Sequence, residues 1–269
     1  MIKVGCCGIG RRIYSSVCCG EVQQTFYDFV SEERARKWRS AAPNFEFTVK
    51  ALQIITHPCN SPTYRRMKKK IGDPNNYGFF KNTREVIEAY EHTIRIADVL
   101  GARILIFQSP SRFKWNEENE KNLRDFFSTK SDKFMHFIEL RGKWDRDIIA
   151  KICEELGIGH CTDPFAESPV RGIESTYYLR LHGSPPGKKM YSYEYTEDDL
   201  STLYSTLCIL QKEEKKYASG RGRRRTGHEG LSSQGTLAKE PHIYVMFNNI
   251  KMVESALLFM KIINKKKNA

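Results

Sequence analysis

Two short motifs, Glu139-Leu140-Arg141 and Arg180-Leu181-His182, each set two ionisable side chains two residues apart. On an extended strand that spacing turns both side chains to one face, where they can meet a single ligand. A carboxylate beside a guanidinium is either a general base with an anion clamp or a mutually satisfied ion pair. Arginine beside histidine suits an anionic substrate, with His182 able to move protons near neutral pH. Asp163, between Thr162 and Pro164, reads as a metal ligand, a general acid or base, or a turn-capping side chain. Lys50 follows Phe45–Val49 and shares a strand face with Thr48. It binds a phosphate or carboxylate, forms a Schiff base if desolvation lowers its pKa, or pairs with Glu21. Gln108 and Asn248 offer neutral hydrogen bonds suited to sugar hydroxyls or amides, and Glu21 and His57 complete the candidate substrate-binding set. Asn249 suits the cap of a following helix.

These residues stand at or just past the ends of eight short apolar runs: Ile2–Cys6, Val17–Val22, Phe45–Val49, Arg103–Phe107, Phe134–Ile138, Ile158–Thr162, Tyr177–Leu181 and Ile243–Phe247. Polar groups gathered at the C-terminal ends of strands are how a parallel barrel builds its reaction centre. Helical spacing fills most of the intervals, over Glu32–Ser40, Asn82–Leu100, Asn116–Phe127, Arg146–Leu156, Glu197–Lys216 and Ile250–Ile263. In the second of these, Val86, Ile87, Tyr90, Ile94, Ile96, Ala97 and Leu100 form the expected apolar stripe, and Thr196 is the expected N-cap of Glu197–Lys216. The intervals from Cys6 to Val17 and from Asp163 to Tyr177 are short for a crossover helix. The pattern therefore predicts one α/β domain over residues 1–269, an eight-stranded parallel TIM-type barrel with one or two degenerate helices. A doubly wound open sheet is the alternative; it would gather polar residues at one switch point instead of after every run. A basic loop over 54–80 falls on the reaction-centre side as a lid or anion-gathering segment. An insertion over 215–241, rich in Gly, Ser and Arg, has the composition of a mobile loop on the opposite face.

The formal charge is +12, but residues 216–240 carry six Lys or Arg against two Glu, a net +4, and the tail 261–269 adds four lysines. With both segments read as mobile, the folded body keeps only +4 and is mildly basic. No apolar run approaches the roughly 20 residues of a membrane span, and the N-terminus does not read as a secretion signal. We read the chain as a soluble cytoplasmic protein, so its eight cysteines are expected as reduced, mostly buried small hydrophobes. Cys6-Cys7 and Cys18-Cys19, adjacent on strands, point to opposite faces and cannot chelate as a C-x-x-C pair does. Among the cysteines, Cys161 is the one expected near the centre. The histidine count does not support a multi-zinc cluster. No cofactor is called for; a single divalent metal has room if Glu139, Asp163 and His182 hold it.

Several segments carry a family resemblance: Thr25-Phe26-Tyr27, Trp38, Phe45-x-Phe-x-Val-Lys50-Ala51, Ile55-Thr56-His57, Phe107-Gln108-Ser109-Pro110, Ile138-Glu139-Leu140-Arg141, Tyr178-Leu179-Arg180-Leu181-His182-Gly183 and Phe247-Asn248-Asn249. In this order, from about Val4 to about Phe259, they resemble the domain of unknown function 72 (YecE-like) family. The resemblance implies a TIM-type barrel and a site, and no established reaction. The chain departs from the family at Gly8-Ile9-Gly10, which often carries an aromatic residue, and at Gln23-Gln24, where many members have Asn. It also has Gly142 where many have His directly after the arginine matching Arg141.

The leading expectation is an enzyme using acid/base chemistry on a small phosphorylated or polyhydroxylated anion. Lys50, Arg141 and Arg180 would hold the anion, and Glu139, Asp163 and His182 would share the proton transfers. On that reading Glu139→Gln keeps the fold and loses turnover. Tyr64–Lys70, Arg221–Arg225 and the Lys-rich tail motivate an alternative, a nucleic-acid-binding metal-dependent phosphodiesterase of endonuclease-like barrel type. A non-catalytic ligand-binding scaffold is the third.

Overall fold

A computed structural model describes residues 1–218 and 241–268. Eight parallel strands are present: β1 (Ile2–Cys6), β2 (Cys19–Val22), β3 (Glu46–Lys50), β4 (Ile104–Gln108), β5 (Met135–Glu139), β6 (Gly159–His160), β7 (Thr176–Leu181) and β8 (His242–Phe247). They pair in the order β6-β5-β4-β3-β2-β1-β8-β7. A parallel bridge from Thr162 to Leu179, with the Arg180 amide donating to the Thr162 carbonyl at 3.0 Å, joins the two ends and closes the barrel. All eight predicted runs are strands, so the open-sheet alternative falls away.

Between the strands run α1 (Arg11–Ser16), α2 (Gln24–Tyr27), α3 (Glu32–Ala41), α4 (Gln53–Thr56), α5 (Arg84–Leu100), α6 (Glu117–Ser128), α7 (Arg146–Leu156), α8 (Glu197–Ala218) and α9 (Met252–Lys267). The two short intervals behave as their length requires. Between β1 and β2 there are six helical residues, and between β6 and β7 no helix. Caps set the helix boundaries. Asn116 and Asp145 side chains accept the first amides of α6 and α7, while Thr196 and Asp199 bond each other's amides reciprocally before α8. Gly101 and Gly157, both left-handed, end α5 and α7. Helix α5 buries Val86, Ala89, Tyr90, Thr93, Ile96, Ala97 and Leu100, but Ile87 is 46% exposed and lies off the stripe expected of it. Four lysines read as a mobile tail, Lys261, Lys265, Lys266 and Lys267, lie on α9 instead.

Alternation along the strands separates two apolar clusters. Phe45, Phe47, Val49, Leu105, Phe107, Ile138, Leu179, Val245 and Phe247 face outward to the helices. Cys19, Ile104, Ile106, Phe137, Cys161, Tyr178, Tyr244 and Met246 fill the barrel. On the floor Lys3 bonds Glu46 at 2.6 Å and the Tyr244 hydroxyl at 2.9 Å. The segment 54–80 is folded rather than an open loop: it holds α4 and two 3-10 turns, and buries Tyr64, Tyr77 and Phe80. Of the insertion expected over 215–241, residues 219–240, with Arg221–Arg225, lie outside the described residues.

Candidate active site

The inward positions of the strands change from apolar to ionisable towards their C-terminal ends, and Arg180 is where the change occurs. It is fully buried, one step below His182 on β7 and in register with the core residue Met246. Its Nη2 donates to Glu21 Oε1 at 2.9 Å, and its Nη1 to Gln108 Oε1 at 2.8 Å and Glu139 Oε2 at 2.5 Å. Glu21, also fully buried, accepts from the Tyr178 hydroxyl at 3.0 Å and from Gln23. Tyr178 in turn meets Thr48 at 2.7 Å. Both terminal nitrogens of Arg180 are thus committed beneath the mouth, which removes it from the anion clamp expected of it. Glu21 belongs to the same buried network rather than to a substrate surface.

Above this layer Glu139 Oε1 takes Arg141 Nε at 2.7 Å and His182 Nε2 at 3.0 Å. Burial opposes charge on Glu139, but Arg180, Arg141 and His182 outweigh it and hold the carboxyl well below its ordinary value. Burial keeps His182 below the usual histidine range despite Glu139. Asn248 Nδ2 lies 3.1 Å from His182 Nδ1. With the proton on Nε2, Asn248 donates to Nδ1 while Nε2 donates to Glu139. Arg141 also reaches outward, its Nη1 donating to the Tyr191 hydroxyl at 2.8 Å and meeting Met190 Sδ at 3.4 Å.

Asp163 takes the turn-capping alternative. Its Oδ2 accepts the His182 amide at 2.8 Å and its Oδ1 the Phe165 amide at 3.0 Å, fastening the end of β7 to the turn after β6. Burial, only partly offset by those amides, pushes its carboxyl up to about 6. Lys50 does not form the ion pair with Glu21. Its Nζ lies over the Phe26 ring, 3.8 Å from the centroid, and among the described residues it makes no ion pair. Burial, together with Arg180, brings it down to about 7 despite the opposing Glu21 and Glu139. His57, with Nδ1 2.7 Å from Thr56 Oγ1, is lowered to about 3 by burial and by Lys50 and Arg141. Asn249 bonds the Tyr193 carbonyl and Ser255 rather than capping α9 with its side chain.

The conditional metal set is not assembled. Glu139 serves Arg180, Arg141 and His182, Asp163 serves two backbone amides, and no group of three or more His, Cys, Asp or Glu is placed to hold a metal among the described residues. The described residues also contain no helix long and apolar enough to cross a membrane. All eight cysteines are free. Cys161 Sγ is 3.9 Å from Glu139, as its position predicts, but Cys7 Sγ is equally near the network, 3.8 Å from Glu21. Sequence reasoning missed Cys7, Tyr178, Phe26 and Tyr191. Tyr178 had a signal, lying two residues before Arg180 on the same face. Tyr191, in a loop at φ 70°, had none.

Two of the three departures noted in the sequence, at Gln23 and Gly142, are filled locally. Gln23 bonds Glu21. A Cβ on Gly142 would stand 1.9 Å from the Phe113 carbonyl oxygen, so the backbone of the β4–α6 loop occupies the room a side chain would need.

The family described as "Protein of unknown function DUF72" matches residues 12–269. The chain is similar in structure to a DUF72 family protein from Enterococcus faecalis, with TM-score 0.66 at 18% identity over 98% of each chain. A DUF72 family protein from Thermotoga maritima gives TM-score 0.63 at 18% identity, covering 98% of this chain and 99% of that one. A xylose isomerase domain containing protein from Salmonella typhimurium gives 0.50 at 14%, over 93% and 86%. No curated protein matches the sequence significantly. At these identities the structural likeness establishes the TIM-barrel fold.

Proposed function

The chain belongs to the DUF72 family, and on that footing we infer that it is an enzyme using acid/base chemistry on a small substrate with an anionic group, bound over the C-terminal strand ends. The observation that carries this reading is Lys50, a nearly buried lysine at the barrel mouth with no counterion. An anionic group on the substrate, held by Arg141, would offset the positive charge gathered at this end of the barrel and leave Lys50 facing the rest of the molecule. Arg141 would hold the same anion by exchanging its neutral outer acceptors, Tyr191 and Met190, for phosphate or carboxylate oxygens. Gln108 and Asn248 orient the substrate. His182 is suited to exchange a proton with the substrate, since burial favours its neutral ring, and Asp163 positions it by accepting its amide. Glu139, held ionised, makes a poor base at neutral pH; its role here is to fix Arg141 and His182.

Calorimetric titration with inorganic phosphate, sugar phosphates and the matching uncharged sugars tests this reading. Charged ligands bind and uncharged ones do not. Arg141→Met weakens the charged ligands by roughly 10- to 100-fold, the loss of one or two charge-assisted hydrogen bonds. Equal affinity for the uncharged sugars would overturn it. A second reading, nucleic acid as substrate, is favoured by the exposed run Arg65, Arg66, Lys68, Lys69 and Lys70 in the segment after β3. Binding of a labelled oligonucleotide that falls steeply with salt supports it, and no binding near physiological salt removes it.

A further inference from the structure

We propose that Lys50 is a nucleophile, whose amine forms an imine with the carbonyl carbon of an aldehyde or ketone substrate bearing a phosphate or carboxylate. This rests on the anion site inferred above and names the substrate's reacting group.

The geometry separates Lys50 from every other cation of the site. It is the last residue of β3, on the inward face it shares with Thr48, and is 5% exposed. The two carboxylates that act on it electrostatically are already spent. Glu21 is taken by Arg180, Tyr178 and Gln23, and Glu139 by Arg180, Arg141 and His182. Its ammonium is offered instead the face of Phe26. Arg180 and Arg141 add like charge, and neighbouring His57 is neutral at pH 7. Burial beside other cations is the environment that turns a lysine into an amine at neutral pH. A lysine that only binds phosphate has no need of it, since it works as a hydrated point charge. At pH 7, with its folded value brought down to about 7, about half of Lys50 is free amine, against fewer than about one in a thousand for an ordinary lysine.

The step balances without a redox partner. The nitrogen lone pair forms the N–C bond, and the carbonyl π electrons move to oxygen, which takes up a proton to give the carbinolamine. Nitrogen then gives up a proton, the hydroxyl is protonated and leaves as water, and the C=N bond forms. The net change is amine plus carbonyl plus one proton to iminium plus water. The iminium draws electrons from the adjacent carbon, which opens isomerisation and carbon–carbon cleavage to the same site.

Pyridoxal 5′-phosphate, an aldehyde that carries a phosphate, is the probe. The full chain is mixed with one equivalent at pH 7 and reduced with borohydride, and the label is located by peptide mass spectrometry. The expected result is a label on Lys50 at least tenfold above any other lysine, abolished in Lys50→Arg, which keeps the charge. Label spread over surface lysines without preference for Lys50 would overturn the proposal. Lys50→Met, an apolar side chain of similar length in the buried position, serves as the second variant if Lys50→Arg does not fold. It too must lose the dominant label. Pyridoxal without the phosphate distinguishes the two readings. If it labels Lys50 as fast as the phosphorylated form, the nucleophile stands and the anion site fails. If phosphate binds in the calorimeter and Lys50 stays unlabelled, the anion site stands and the nucleophile fails.

Discussion

Glu139 is the residue on which most of the site depends, because one carboxylate satisfies three groups: Arg180 below, Arg141 beside it and His182 above. From sequence, Glu139→Gln was expected to keep the fold and lose turnover. The structure changes the first half of that expectation. An amide in place of the carboxylate leaves the fully buried Arg180 with Glu21 as its single carboxylate, and leaves Arg141 without an ion pair. Breaking a buried ion pair from one side costs about 3–5 kcal/mol, because the remaining charge is desolvated and uncompensated. With Glu21 still in place the lower end applies, so Glu139→Gln should lose about 3 kcal/mol in urea unfolding at pH 7. A loss under about 1 kcal/mol would mean that Arg180 is served well enough by Glu21 and Gln108 alone.

At the scale of elements, the mouth is shaped by stitching the loops after β4 and β5 together. The Ser109 amide bonds the Glu139 carbonyl, Ser109 Oγ takes the Arg141 amide, Trp115 bonds the Lys143 carbonyl and Trp144 Nε1 bonds the Phe113 carbonyl. Gly142 sits where the two backbones touch. Gly142→Ala must push them apart, at the 1–3 kcal/mol usual for overpacking, and must move Arg141 with them. We expect a lower urea midpoint together with weaker phosphate binding; a variant unchanged in both would show that the loops give way freely. The strands that carry these loops were legible because parallel strands buried on both faces read as continuous apolar runs. The polar residues at their ends were legible as a set for the same reason. Depth along a strand was not. Arg180 and His182 share a face, and only the register that pairs Arg180 with Met246 of β8 and ends at Leu181 with Phe247 puts Arg180 in the plug and leaves His182 past the last pair, at the mouth. Nor could the sequence choose among the three readings of Asp163, because its partners are backbone amides from the turn after β6 and the end of β7.

For the whole molecule the consequential feature is the number of histidines folded in as neutral rings. Burial lowers His57, His92, His136 and His160 to about 3, 4, 4 and 4 from an ordinary 6.5. His136, on β5, bonds the Tyr90 hydroxyl at 2.8 Å and stacks on Phe107, so it ties α5 to the sheet and takes no part in the site. A base whose folded pKa is depressed is protonated more readily in the unfolded chain. Each of the four therefore withdraws stability as pH falls from 6.5 towards its folded value. Asp163 works in the opposite direction. Its carboxyl is raised from 3.8 to about 6, so near pH 5 the folded state holds a proton that the unfolded chain has released. Four protons gained against one lost leave a net uptake of about three on unfolding near pH 5, a slope of about 4 kcal/mol per pH unit. Urea titrations at half-unit steps should therefore show stability falling steeply between pH 6.5 and 4. His136→Phe, which keeps the ring and removes the titration, should flatten that slope by about 1.4 kcal/mol per pH unit near pH 5. A stability curve level across the window would mean that these rings reach solvent before the barrel opens, and that the buried histidines are not part of one cooperative core.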